Sequence, residues 1–351
     1  MKKIQGKVKV GIIGSGGIAG AHVRGILAHS SEIECVALCD ISEANLKRRS
    51  DQLGGLPSGA QFKDWKKMLR DLGDALDAVI ICLPHHLHAP AILDSAAAGK
   101  HILCEKPMCI SLKEADAIAA AVRKAGVTYM SAHDQLFMPA VQEAKRLIES
   151  GKLGRIRWIR SQDCFRADVS GFKGAWRSQL KFQGGGELID TGYHPTYRLL
   201  YLAGSKVVGV RASMGRYLQE IEGEDTASVQ VRFANGVIGE ILTSWAFNNP
   251  YGSHQIHVAG ENGQVFGSGS TLYLLPASFS EPAKMNLRSA DTFTEEIRHF
   301  ADCLHQGRRP LHSVEEGRAV LEIILNAAKD ARGWQQYAAH SRGIRPGRKS
   351  K

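Results

Sequence analysis

Long apolar runs are missing from this 351-residue chain, and none approaches the length that spans a bilayer. The opening MKKIQGKVKVGIIGSGG carries early lysines but no apolar segment long enough for a secretion signal. CxxC pairs are also absent. The seven cysteines (Cys35, Cys39, Cys82, Cys104, Cys109, Cys164 and Cys303) are odd in number and scattered, several inside strand-like runs such as ECVALC and VIICL. That pattern argues against a disulfide framework and for packed, reduced thiols in a cytoplasmic protein. Proline is modest at 11 residues against 37 glycines, which fits many turns rather than disorder.

The net charge of +10 invites a nucleic-acid reading. About half of it lies in SRGIRPGRKSK, residues 341–351, with five basic groups and no acidic one. A short basic tail bearing Gly, Pro and Ser reads as a solvated terminus, and no nucleic-acid or membrane partner is expected. The remaining positive charge suits anionic small ligands such as a pyrophosphate.

What is present is an alternation. Val8–Ile13 (VKVGII) has four β-branched residues in six, as expected of a buried strand. It runs into Gly14-Ser15-Gly16-Gly17-Ile18-Ala19-Gly20 and a helical pattern through His29. Further apolar runs at 33–39, 78–83 and 101–104 close on Asp40, on Pro84 and on Glu105-Lys106-Pro107, and 89–98 reads as a helix between the last two. Alternation of this kind predicts α/β architecture with a doubly wound parallel sheet, a Rossmann domain over residues 1–130.

In Gly14-x-Gly16-x-x-Ala19, the first glycine permits a tight turn and the second lets backbone approach a pyrophosphate. Gly17 and Ile18 bring the chain to the helix N-terminus, whose free N–H groups favour phosphate. Asp40, 21 residues after Ala19, should accept from the adenosine ribose hydroxyls. A carboxylate there repels a 2′-phosphate, so NAD is expected over NADP, although Arg48 and Arg49 lie within possible reach of NADP.

Ligands of open parallel sheets gather beyond the carboxyl ends of the strands. Pro84-His85-His86-Leu87-His88 stands at one such end. No Cys or carboxylate ligand lies beside these histidines, so no metal is expected; Pro84, His85 and His88 should cap the next helix and line the cofactor cleft. Glu105 and Lys106 stand at another end. The Lys106 amine either meets a ligand there, where it would polarise an alcohol oxygen, or pairs with a carboxylate such as Glu105 itself.

From Ile156 onward the pattern changes to long alternating strands: 156–164, 207–215, 226–233, 237–247 and 253–260. Asn235-Gly236 and Asn262-Gly263 are hairpin signals. Residues 131–340 are therefore expected to form a substrate-binding and oligomerisation domain around a large, mostly antiparallel open sheet. Ile241, Trp245 and Phe247 are expected on its open face, where a homodimer or homotetramer would form. Gly184-Gly185-Gly186 permits close backbone approach, and His194-Pro195 opens a helix running to Gly204. A neutral His194 there could take the proton of an alcohol, or merely cap the helix; Asp190 could orient the ring or tune Lys106. Trp176 and Arg177 offer an aromatic face and a donor to a sugar ring, or belong to the core. The segments 163–183 and 248–290 are expected to set the substrate.

The set GIIGSGGIAGAH, CLPHHLHAP, HILCEKPM, ESGKLGRIRWI, GGGELIDTGYH and TEEIRHFADCLHQGRRP, in this order from about residue 8 to residue 330, resembles the Gfo/Idh/MocA oxidoreductases. The resemblance implies Lys106, Asp190 and His194 as catalytic residues, and hydride transfer between nicotinamide and a hydroxyl-bearing carbon of a sugar or cyclitol. Two alternatives stay open: an NAD-dependent glycoside-cleaving enzyme of the same fold and a non-catalytic dinucleotide-binding regulator. The chain departs from the family pattern at Tyr197, where an Asp is usual, and at His133-Asp134-Gln135, where many relatives carry Asn and Arg ahead of the Phe.

Overall fold

The computed structural model describes residues 3–278 and 281–341. The basic segment that follows lies outside the described residues. Six parallel strands form the first sheet: β1 (Val8–Ile13), β2 (Ile33–Cys39), β3 (Gln61–Phe62), β4 (Ala78–Ile81), β5 (His101–Glu105) and β6 (Tyr129–Ala132). Their order is β3-β2-β1-β4-β5-β6, the doubly wound arrangement whose direction reverses between β1 and β4. The expected runs become β1, β2, β4 and β5. The other two strands were not legible, because β3 has only two residues and YMSA in β6 holds no β-branched side chain.

Five helices connect these strands: α1 (Ala19–Ala28), α2 (Glu43–Gln52), α3 (Trp65–Leu72), α4 (His88–Ala97) and α5 (Leu112–Ala125). Strand period two sorts the core into two layers. Val8, Val10, Ile12, Leu38, Ile80 and Leu103 pack on one face with Val23 and Ile26 of α1. Val79, Ile81, Ile102 and Cys104 pack on the other with Met68, Ile92 and Ile118.

The second half adds α6 (Pro139–Glu149), α7 (Leu180–Gln183), α8 (Glu187–Asp190), α9 (Tyr193–Ala203), α10 (Thr292–Gln306) and α11 (Val314–Ser341). Its strands are β7 (Ile156–Cys164), β8 (Val207–Gly215), β9 (Thr226–Phe233), β10 (Ile238–Ser244), β11 (Ile256–Gly260), β12 (Gly263–Ser268), β13 (Thr271–Pro276) and β14 (Ala283–Asn286). They form one eight-stranded sheet, order β14-β13-β12-β11-β7-β10-β9-β8, antiparallel except for the β7–β10 pair. Both Asn-Gly signals lie between paired strands, β9–β10 and β11–β12. About half of the 248–290 segment is therefore strand, carried by β11 to β14.

In β9, Ala227, Val229, Val231 and Phe233 are buried while Ser228, Gln230 and Arg232 are exposed. Ile241 pairs with Val229 and is buried with it, and Trp245 is also buried. The expectation that these two lie on the open face is therefore corrected, because both point into the chain's own core. Phe247 alone of the three is exposed. The outer face instead carries a row of ring contacts from Trp158 to His257, Phe266 and Tyr273.

Chain order and layer part company at α10. It returns to the first sheet, where Ile297, Phe300 and Leu304 share a core with Val10 and Ile26. Among the described residues, no helix is long and apolar enough to cross a membrane.

Candidate active site

The glycine turn is built as its spacing demands. Gly14 has φ 90°, and a Cβ there would stand 2.5 Å from the Cys82 carbonyl oxygen, so only glycine fits between β1 and β4. A Cβ on Gly16 or Gly17 would meet nothing within 4 Å, which leaves open space above the turn for a diphosphate. Ile18 caps α1 with no side-chain hydrogen bond and no acidic residue in the first turn. That end of the helix can receive an anion.

Asp40 follows β2 and is held in place from three sides. Its Oδ2 accepts from Ser15 N–H at 2.8 Å and from Asn45 Nδ2 at 3.2 Å, and its Oδ1 accepts from Ser42 N–H at 2.8 Å. Arg49 folds back over the turn, its Nε donating to the Ser15 carbonyl at 3.4 Å and its guanidinium meeting Gln52. Arg48 turns to Asn45 instead.

The histidines after Pro84 divide by role. His85 is buried; its Nδ1 donates to the Gln183 carbonyl at 3.0 Å and its ring meets Trp176 edge-on at 4.7 Å. Burial pushes its pKa down to about 3, so the ring is neutral. His88 is fully buried, with its ring nitrogens 2.6 Å from the Pro107 oxygen and 2.7 Å from the Leu83 oxygen. It braces the Pro84 and Pro107 loops together, a correction to its expected place as a lining of the cleft.

Glu105 does not pair with Lys106, as one reading of the sequence allowed. Its Oε1 lies 2.8 Å from Nε2 of the buried His22, and its Oε2 accepts from the Lys106 N–H at 3.1 Å. The only sequence signal for His22 is a polar residue on the buried face of α1, one turn beyond the glycines.

Lys106 reaches into the second half of the chain. Its Nζ donates to Asp190 Oδ1 at 3.0 Å and to the Asp190 carbonyl at 2.8 Å. Arg177 Nε lies 3.0 Å from Asp190 Oδ2. Burial raises the Asp190 carboxyl, but Lys106, His85 and Arg177 together outweigh it and hold the group well below the usual carboxylate range. Asp190 is thus hydrogen-bonded to Lys106 and paired with Arg177. Trp176 packs on His85, and Arg177 serves as the second cation on Asp190, a role that only spatial neighbourhood reveals.

Close backbone packing places α8 and α9. A Cβ on Gly186 would stand 2.1 Å from the Glu224 carbonyl oxygen, so the 184–186 glycines let this segment lie against the chain entering β9. Trp245 donates from Nε1 to Thr191 Oγ1 at 2.9 Å, between Asp190 and His194. His194 lies one residue inside α9, and Pro195 follows where helix N–H groups have no internal partner. Burial, then the charges of Lys106 and Arg198, hold the imidazole well below its ordinary pKa. Its Nδ1 lies 2.7 Å from the Tyr197 hydroxyl. Tyr197 also touches Asp134 Oδ1 at 3.2 Å and accepts from Gln135 N–H at 3.1 Å, so both departures from the family pattern meet at one point. His133 stacks flat on the Tyr197 ring at 4.3 Å.

The molecule thus has the form of a dinucleotide-binding oxidoreductase, with a second α/β layer closing on the cofactor sheet. The chain belongs to the GFO/IDH/MocA oxidoreductases. Residues 8–133 match the oxidoreductase family's NAD-binding Rossmann fold, and residues 141–266 match the GFO/IDH/MocA C-terminal domain. It is 29% identical over 348 residues to an uncharacterized oxidoreductase of Bacillus subtilis, covering 95% of each chain. It is 26% identical over 341 residues to the NAD(+)-dependent scyllo-inositol 2-dehydrogenase of Bacillus subtilis, covering 93% of this chain and 94% of that one. Among solved structures, it superimposes on the aldose-aldose oxidoreductase of Caulobacter crescentus with a TM-score of 0.83 at 25% identity, covering 93% of this chain and 98% of that one.

Proposed function

We propose that the chain oxidises a secondary hydroxyl of a cyclic polyol, a sugar or a cyclitol, or reduces the matching ketone. The observation that carries this reading is the meeting of Lys106 and Asp190 beside a neutral His194, beyond the carboxyl end of β5 in the cofactor sheet. Gly14, Gly16, Gly17 and Asp40 fit a dinucleotide: two open glycines, an uncapped helix end and a fixed carboxylate. When bound, NAD supplies the hydride acceptor or donor.

The protein's own groups do the rest. Lys106, oriented by Asp190, stabilises negative charge on the substrate oxygen. His194, uncharged near neutral pH, is free to take the hydroxyl proton in oxidation and to return it in reduction. Arg177 shares Asp190 with Lys106, so the acid keeps a second cation when Lys106 shifts toward substrate. The likeness to an inositol dehydrogenase and an aldose oxidoreductase supports a cyclic polyol as substrate. Asp40 supports NAD over NADP, since a 2′-phosphate would face its carboxylate.

The outer face of the second sheet, with Trp158, His257, Phe266 and Tyr273, supports a homo-oligomer in a cytoplasmic enzyme. Sedimentation of a monomer at micromolar concentration would contradict the oligomer. The activity is tested with inositols, aldoses and their keto forms, each with NAD and NADP, read by nicotinamide absorbance. Turnover of at least one cyclic polyol with NAD is expected. Silence across the whole panel contradicts the reading.

A further inference from the structure

We propose that Tyr197 and Asp134 set the proton state of His194: the imidazole Nδ1–H donates to the Tyr197 hydroxyl, and that hydroxyl donates to Asp134 Oδ1. Nε2 is thereby left as a bare lone pair toward the substrate. The inference rests on the dehydrogenase reading above and adds two positioning residues to it.

The direction of the chain follows from counting hydrogens. A tyrosine hydroxyl has one proton and two lone pairs. Gln135 N–H already donates to the Tyr197 oxygen at 3.1 Å, and a carboxylate oxygen stands 3.2 Å away on Asp134. A carboxylate only accepts, so the Tyr197 proton goes to Asp134 and the 2.7 Å contact with His194 must be filled by Nδ1–H. The reverse orientation would leave two acceptors facing each other in a buried site. Asp134 is fixed from its other side, where Thr292 donates to Oδ2 at 2.8 Å. Nε2 of His194 has no partner among the described residues, and the side chain keeps 18% of its surface open.

The same chain offers a route for the proton. When Nε2 takes the hydroxyl proton and the substrate O–H bond breaks, Nδ1 passes its proton to the Tyr197 oxygen. The Tyr197 proton moves to Asp134 Oδ1. Imidazole and phenol finish neutral, and Asp134 carries the proton; reduction reverses each transfer. Burial raises the Asp134 carboxyl, and the nearby Glu105 raises it further, which suits it to receive a proton. The charged groups that bear on His194 are Lys106, Arg198, Asp190 and Asp134 itself, whose Oδ1 lies 3.7 Å from Nδ1, and those on Asp134 are Glu105, Glu296 and Lys106. Asp134 alone comes near Nδ1, and the hydrogen bond of Nδ1 is the shorter one to the Tyr197 hydroxyl.

Long-range 1H–15N correlation spectra of the full chain read the tautomer directly, with His194 assigned by its loss in His194→Gln. The expected result is Nδ1–H in the parent protein and a shift toward Nε2–H in Tyr197→Phe and in Asp134→Asn. An Nε2–H form in the parent overturns the proposal without any variant. In turnover, Tyr197→Phe should lose about 10²-fold in kcat with KM nearly unchanged. Its acidic limb should move to lower pH, because the imidazolium loses its acceptor. A purely structural role would lower Tm and leave both limb and tautomer alone, which also overturns the proposal. Spectra that change as expected in a chain inactive on every polyol support the tautomer control and count against the dehydrogenase reading. Turnover with an unaltered tautomer in Tyr197→Phe does the opposite.

Discussion

Lys106 and Asp190 stand 84 residues apart in sequence and 3.0 Å apart in space, joining the end of a parallel strand to a short helix of the other half. Side-chain exposures of 13% and 6% leave the pair little water to screen it. Lys106 is thus the chief electrostatic partner of Asp190. Asp190 costs burial energy that Lys106 and Arg177 offset.

Asp190→Asn should lower kcat by about tenfold or more, since Lys106 loses its anchor, while NAD affinity stays within about twofold. The pair also shapes acid stability. The folded Asp190 binds its proton more weakly than the unfolded chain does, so its contribution is complete above the ordinary carboxylate pKa and is lost as pH falls below it. Denaturant unfolding at pH 6 and at pH 3 should show a smaller acid loss in Asp190→Asn than in the parent. An equal loss would mean the ion pair contributes nothing.

The two ends of the glycine turn should respond differently to alanine. Gly16→Ala places its methyl in open space, so the folding free energy should hold within about 0.5 kcal/mol of the parent while NAD binding weakens at least about tenfold. Gly14→Ala drives a Cβ into the Cys82 carbonyl at φ 90°, and the fold itself should lose stability. Calorimetry with and without NAD separates the two effects. Unweakened NAD binding in Gly16→Ala would remove the turn from the cofactor site.

Much of this frame was legible because it is local. The β-branched run of β1, the glycine spacing and Asp40 are set within 40 residues, and Asn-Gly marks hairpins wherever strand patterns flank it. The rest depends on which distant residues meet. Ile241 and Trp245 read as surface until register pairs Ile241 with Val229 and Trp245 reaches Thr191. Lys106 had two possible partners on sequence, and only the approach of α8 decides for Asp190 over Glu105. Tyr197 and Asp134, 63 residues apart, looked like separate departures from one pattern and form a single contact.

Buried neutral histidines predict an acid limb in stability. His85 sits near pKa about 3 and His312 near about 4, both lowered first by burial. The unfolded chain takes up these protons near pH 6.5 while the folded chain does not, so stability is complete above that value and falls as pH drops toward 4. Tm should decline between pH 7 and pH 5, and His85→Gln should flatten the slope. A parent Tm that is level over that interval would contradict the burial of neutral rings.

Arg198 is the side chain that anchors α9, and with it His194. It is fully buried, donating to Ser161 Oγ at 3.1 Å and the Gln162 carbonyl at 3.0 Å, meeting Asp163 at 3.0 Å, and hydrogen-bonding Gln135. Arg198→Met leaves those acceptors buried without a donor and should cost about 3–5 kcal/mol in urea unfolding. Arg198→Lys should recover only part of it, since one ammonium cannot reach four partners in a fork. Parent-like stability in either variant would show that water takes the place of the guanidinium.

The proposed catalysis requires Lys106 and His194 to act on one hydroxyl. A double-mutant cycle on kcat/KM, with Lys106→Ala, His194→Ala and the pair assayed on a polyol that the parent turns over, measures this most directly. Groups that serve one transition state are strongly non-additive, so each single variant should lose about 10²-fold or more and the double variant little beyond the worse of the two. Near-normal turnover in Lys106→Ala, or losses that simply multiply, would contradict it.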